Sequence, residues 1–157
     1  MVRTFGVIAL LTLVGFVAGE ARSGSAQTTP AWPTFHGNAQ RAGSTVSAGP
    51  QANTVVNQWQ LPKGVESSPA VDTNGVAYVG DDDGSMYALD PTEPNAPRWS
   101  FATSGKVVSS PTLSGDGKTI YVGSDDGSVY AISTTTSGKL WSVDLGGEVR
   151  ASPLLTA

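Results

Sequence analysis

The sequence predicts an all-β fold assembled from repeated four-stranded units, and three observations carry that expectation. The first is composition: the 157 residues include 19 glycines, 10 prolines and no cysteine, and only 14% are charged. Few charges, many turn formers and a fair supply of Val, Ile, Tyr and Trp describe a turn-rich β protein. The second is self-similarity, since VGDDDGSMYALD at 79–90 returns as VGSDDGSVYAIS at 122–133. The third is a fixed period. Pro69, Pro111 and Pro153 lie 42 residues apart, Trp99 and Trp141 do the same, and Trp59 precedes Trp99 by 40. Periods of this size mark arrays of one supersecondary unit.

Each unit reads as strand, turn, strand, turn, strand, loop, strand. The first strand, ESSPAVD or VSSPTLS, confines its Pro to the beginning, where a missing donor is tolerable. Asp72-Thr73-Asn74-Gly75 and Gly115-Asp116-Gly117 supply tight-turn chemistry. VAYVG or TIYVG then reaches the acidic turn, DDDGS or SDDGS, which contains Gly84 or Gly127. MYALD or VYAIS returns, and after a loop RWSFA or LWSVD is the fourth strand.

The strand faces say how the units stack. In the second unit Ile120 and Val122 point one way, and Tyr121 and Gly123 the other. A sheet apolar or small on both faces is covered on both. Gly80, Gly123, Ala88 and Ala131 keep the contact thin, and one Trp per unit reads as a packing anchor. Four short strands in each 42-residue unit, stacked on both faces, match the blades of a β-propeller. The expectation is an incomplete propeller. Blade one spans 65–106, blade two 107–148, and 149–157 is the first strand of a third. A lone outer strand at 53–62 closes the ring by joining a last blade, and 27–52 is an extended N-terminal segment.

Residues 1–26 read as a secretory signal peptide. Arg3 is followed by FGVIALLTLVGFVAG, too short to span a bilayer comfortably, and then by small residues. Cleavage is placed after Ala26, with Gly19 as the competing site and an uncleaved membrane anchor as the rival reading. Without a cysteine there is neither a disulfide nor a lipid-bearing mature N-terminus. The mature chain is therefore expected to be periplasmic or secreted, with no membrane span.

Charge and motifs narrow the chemistry. A formal charge of −4 with scattered Lys and Arg excludes nucleic acid as partner. Asp81, Asp83, Asp125 and Asp126 in the acidic turns are candidate calcium ligands, because hard cations take oxygen donors. The spacing D-x-[DN]-x-[DN]-G is absent, since Val79 stands where an Asp is needed, so a hairpin turn is the competing reading. His36, the single histidine, lies among Trp32, Phe35 and Gly37 and reads as structural. No catalytic residue emerges, and no metal site.

The repeat resembles the quinoprotein-like propellers built from pyrroloquinoline-quinone (PQQ) repeats, whose blade looks like V-x-S-S-P-x-V, Y-V-G-S-x-D-G-x-[LV]-Y-A-[LI]-D and T-G-K-L-x-W. Residues 107–141 match nearly throughout. The family's tryptophan docking pattern, A-x-D-x-x-x-T-G-x-x-W, is present from Ala131 to Trp141 with Ser133 and Ser137 replacing Asp and Thr. From Ala88 to Trp99 it keeps Asp90, is one residue longer, and has Ala96-Pro97 in place of Thr-Gly. AWPTFHGNAQRAG (31–43) is similar to the segment that precedes the first blade in such proteins.

The resemblance implies either of two functions. One is a non-catalytic platform for a protein or polysaccharide partner, which the insertion-free blades favour. The other is the N-terminal part of a PQQ-dependent quinoprotein dehydrogenase, in which PQQ and calcium sit near the axis of a complete ring. No cofactor ligand of that kind matches a residue here. A propeller of this kind takes seven or eight blades, so further blades are expected from a downstream continuation or from another chain. A pseudogene product without function is the third possibility.

Overall fold

A computed structural model describes the backbone of residues 10–13 and, in full, residues 32–35, 55 and 57–156. Of the sequence-based expectations, His36 and most of 1–26 and 27–52 lie outside the described residues, as does Ala157. Among those described there are ten strands and no helix. They are β1 (Leu10–Leu13), β2 (Asn57–Gln60), β3 (Ala70–Val71), β4 (Ala77–Gly80), β5 (Ser85–Leu89), β6 (Trp99–Ala102), β7 (Thr112–Leu113), β8 (Thr119–Gly123), β9 (Ser128–Ser133) and β10 (Lys139–Asp144). Strands β3-β4-β5-β6 form one antiparallel sheet and β7-β8-β9-β10 a second, each in chain order. Two open four-stranded meanders, stacked face to face, are the blades of an unclosed propeller.

The turns follow from their glycines. Gly84 N–H donates to Asp81 O at 3.2 Å, and Gly127 N–H donates to Ser124 O at 3.1 Å. Their φ values of 89° and 95° are left-handed, which closes a tight turn after three residues that need no such freedom. The first strands are shorter than the sequence suggests, two residues each. Pro69 and Pro111 lack an N–H. Ser67 and Ser109 use their hydroxyls on Gly80 and Gly123, so the ladder cannot extend upstream.

Two apolar layers hold the stack. Between the blades, Tyr78, Met86 and Ala88 meet Val107, Leu113, Ile120, Val122 and Ile132, with Trp99, Phe101 and Tyr130 packed against them. On the far face of blade one, Ala77, Val79, Tyr87 and Leu89 meet Trp59 and Leu61. Blade one is thus covered on both faces, and every residue of β4 is buried. Blade two is covered on one, and every residue of β10 is exposed. No helix among the described residues is long and apolar enough to cross a membrane.

Candidate functional site

The residues that recur every 42 positions converge on the joint between blades. Gly80 ends β4 where Val107 arrives to begin the next blade. A Cβ on Gly80 would stand 2.2 Å from Val107 Cγ1 and 2.6 Å from Val107 O. Gly123 and Val149 repeat the contact at 2.5 Å to each atom. Close approach, not turn geometry, is what these strand glycines permit. Val107 N–H donates to Asp81 O at 3.1 Å, and Val149 N–H to Ser124 O at 3.0 Å, so each joint is also closed by a backbone bond.

The SSP tripeptide serves the same joint. Ser68 N–H donates to Ser110 Oγ at 2.9 Å, and Ser110 N–H donates to Ser152 Oγ at 3.1 Å. Each bond joins the same position of successive units. Pro69, Pro111 and Pro153 follow these serines, and the carbonyl of Pro153 accepts from Thr112 Oγ1 at 2.8 Å. Residues 149–153 therefore lie on blade two as 107–111 lie on blade one. A second strap crosses the free inner edges: Trp32 exchanges backbone bonds with Val71, Pro33 O accepts from Leu113 N–H at 2.7 Å, and Thr34 Oγ1 meets Thr112 Oγ1 at 2.9 Å.

Trp99 and Trp141 stack on their own blades, and Trp99 and Trp59 reach the blade that follows. The rings of Tyr78 and Trp99 lie 5.8 Å apart, as do those of Tyr121 and Trp141. Trp99 Nε1 donates to Thr134 O at 2.9 Å, in the loop between β9 and β10. Trp59 Nε1 reaches Glu93 O, in the irregular 90–98 loop, at 3.4 Å. Trp141 stands 46% exposed on the uncovered face, beside Leu140, Val143 and Leu145. Ala88 and Ala131, both fully buried, sit opposite Trp99 and Trp141 in register, so a larger residue there would push the indole off its blade.

The acidic turns are tied into the same framework. Tyr87 donates to Asp83 and Tyr130 to Asp126, each at 2.7 Å across the hairpin. Asp126 also accepts from Ser104 N–H at 2.9 Å, across the joint. Against their burial, the hydrogen bonds from Asp81 and Tyr87 hold Asp83 below the usual carboxylate range, and the one from Tyr130 does the same for Asp126. Asp125 pairs with Arg150 at 2.9 Å across a joint, and Asp82 with Lys106 at 2.7 Å where blade one ends. Asp81 alone is fully buried. Burial first, and the neighbouring Asp83 second, push its carboxyl up to about 7. In the second unit Ser124 occupies that position and bonds Thr103 and Gly105.

These assignments bear on the implied cofactor. Calcium needs several oxygens pointing at one centre. Among the described residues no three His, Cys, Asp or Glu side chains converge in that way. Asp81, Asp83, Asp125 and Asp126 are each turned to a tyrosine, a backbone amide or an arginine, so the residues present do not fit a calcium site or a quinone held through one. Sequence reasoning missed Val149, Ser152 and Thr112 as joint residues. The 42-residue recurrence of Val65, Val107 and Val149 was the available signal.

The family model of the outer membrane protein assembly factor BamB matches residues 39–157. The chain belongs to that family. No protein of curated function matches it significantly. Among solved structures, the quinohemoprotein alcohol dehydrogenase of Comamonas testosteroni aligns with a TM-score of 0.61 at 21% identity, over 76% of this chain and 20% of that one. A chain of a mitotic checkpoint complex aligns at 0.54 and 16% identity, over 62% and 30%. BamB of Moraxella catarrhalis gives 0.44 at 22% identity, over 55% and 27%. The chain thus spans less than a third of each of these three structures. At such identities the likeness extends to the fold alone.

Proposed function

We propose that the chain is an exported, non-catalytic propeller platform for a protein partner, acting in the periplasm or outside the cell. The observation that supports it is the use of the polar repeat residues. Each carboxylate singled out in the acidic turns is engaged in blade-to-blade or hairpin bonding, and so are the serines of the SSP tripeptides. Polar groups committed to joining blades are the groups of a scaffold, whose work is done by exposed loops on a rigid frame. The plain loops of blade two, without insertions between strands, support the same reading. The family's name, an assembly factor for outer membrane protein, supplies the class of partner. The blades are read as 65–106 and 107–148, with 149–157 opening a third.

The experiment is a pair of titrations of the purified chain, followed by its melting temperature and by binding. The platform reading expects no melting shift with calcium and PQQ, and saturable binding of an unfolded outer-membrane β-barrel protein. Ligand stabilisation of about 2.7 kcal/mol is expected at a hundredfold excess over Kd for a true cofactor. Such a shift with calcium and PQQ, abolished by Asp126→Asn, would overturn it in favour of the dehydrogenase. Binding to peptidoglycan fragments but not to the barrel protein would replace the protein partner with a polysaccharide.

A further inference from the structure

The edge of β2 carries an inference about the precursor. Strand β2 belongs to the outer position of a blade. Its Trp59 is buried, and Trp59 and Asn57 dock on the 90–98 loop through Glu93 O and Pro91 O, as Trp99 docks on the loop of blade two. In the two complete blades the outer strand pairs with the third strand in one register. Trp99 faces Ala88 with Ser100 facing Tyr87, and Trp141 faces Ala131 with Ser142 facing Tyr130. Strand β2 pairs antiparallel with β1 along the corresponding edge, Trp59 facing Leu11 and Gln60 facing Leu10. Leu10–Leu13 therefore stands where the third strand of a blade stands.

We propose that residues 10–13 occupy the ring-closing edge of β2 in the precursor, as a stand-in for a third blade strand. Removal of residues 1–26 then yields that edge to a third strand of the same repeat type. This rests on the reading of 1–26 as a leader, within which all of β1 lies. The physical motive is the edge itself. A strand packed by a buried Trp on one side and unpaired on the other is a template for any extended chain it meets. The leader's apolar run is available only until cleavage, so the edge is covered while the chain is in transit and open once it arrives. The mature occupant must satisfy the same register. It carries a small residue opposite Trp59 and apolar residues around it, as in SMYAL and SVYAI.

The test is hydrogen exchange on the full chain and on its Leu11→Pro variant, since proline removes a donor from the strand and breaks the pairing. The amides of Asn57–Gln60 are expected to exchange about tenfold faster in the variant. Those of Ala77–Gly80, in a different sheet, should keep their wild-type rates. Adding the peptide SVYAIS to the variant is expected to restore the protection at Asn57–Gln60. Equal exchange of β2 in both proteins would overturn the proposal, and so would loss of protection in β4 alongside β2, which would mean global loosening. The leader is tested apart, by the N-terminal residue of the exported protein. Gln27 is expected, whereas a retained Met1 would overturn release and leave the edge contact standing.

Discussion

Replacing Gly80 by alanine tests the joint between blades at its tightest point. The new Cβ would stand 2.2 Å from Val107 Cγ1 and 2.6 Å from Val107 O, against an ordinary contact of about 3.5–4.0 Å. Val107 cannot simply retreat, because it is fully buried and its N–H is bonded to Asp81 O at 3.1 Å. Overpacking of this kind costs about 1–3 kcal/mol. Alanine recovers about 0.5–1 kcal/mol through the unfolded chain, which loses freedom when glycine goes. The midpoints of these ranges leave a net loss of about 1 kcal/mol, a fall in Tm of about 3–5 °C for a chain of this size. Gly115→Ala is the control: nothing lies within 4 Å of its Cβ, so it should be neutral or slightly stabilising. The assay is thermal unfolding of both variants, with Val107→Ala and the Gly80→Ala/Val107→Ala pair completing a cycle. The double variant should lose about 1 kcal/mol less than the two singles together, since Cγ1 is gone although the carbonyl remains. Equal Tm values for Gly80→Ala and Gly115→Ala would refute the reasoning.

Other predictions follow from the same contacts. Asp81 has a folded pKa near 7, above the unfolded carboxylate value of about 4. Its stabilisation is therefore complete below pH 4 and is lost as pH rises through 7. Tm should fall across that window, while Asp83, shifted the other way, weakens the fold only at lower pH. Asp81→Ser, which copies Ser124, should flatten the profile and raise Tm at pH 8. Ser110→Ala deprives the half-buried Ser68 N–H of its acceptor and should cost about 1–2 kcal/mol in urea unfolding, whereas the exposed Thr135→Ala should cost nothing measurable. Trp99→Phe removes a 2.9 Å bond and Trp59→Phe one of 3.4 Å, so the first should cost about 1 kcal/mol and the second about half as much.

The repeat made the fold legible because a blade must state its turn, its close-packed glycine and its tryptophan each time it is built. Gly84 and Gly127, and Trp99 and Trp141, could be placed from spacing alone. The uses of the polar residues could not. The partner of Ser68 N–H is a hydroxyl 42 residues away, and a sequence shows the recurrence of SSP without saying that one copy bonds the next. The acidic turns read as possible cation ligands because a carboxylate's direction is invisible in sequence. In the fold, Asp83 and Asp126 face the tyrosines four positions on, across the hairpin. The loop from Asp90 to Arg98 departs from the docking pattern, yet Glu93 still offers Trp59 a carbonyl, because any backbone oxygen brought to that place will serve. The pairing of β2 with β1 was hidden for a different reason. Leu10–Leu13 lies in a run whose apolar character has a complete explanation as a leader.

Native-state hydrogen exchange at Ser68 and Ser110 decides whether the recurring polar residues join blade to blade. Neither amide belongs to a strand, and each donates its hydrogen bond to the serine hydroxyl 42 residues on. Protection matching that of the β4 and β8 amides is the predicted result. Exchange at the rate of an open loop, with β4 and β8 still protected, would contradict it: the blades would then be held by apolar contact alone, and the recurrence of SSP would need another explanation.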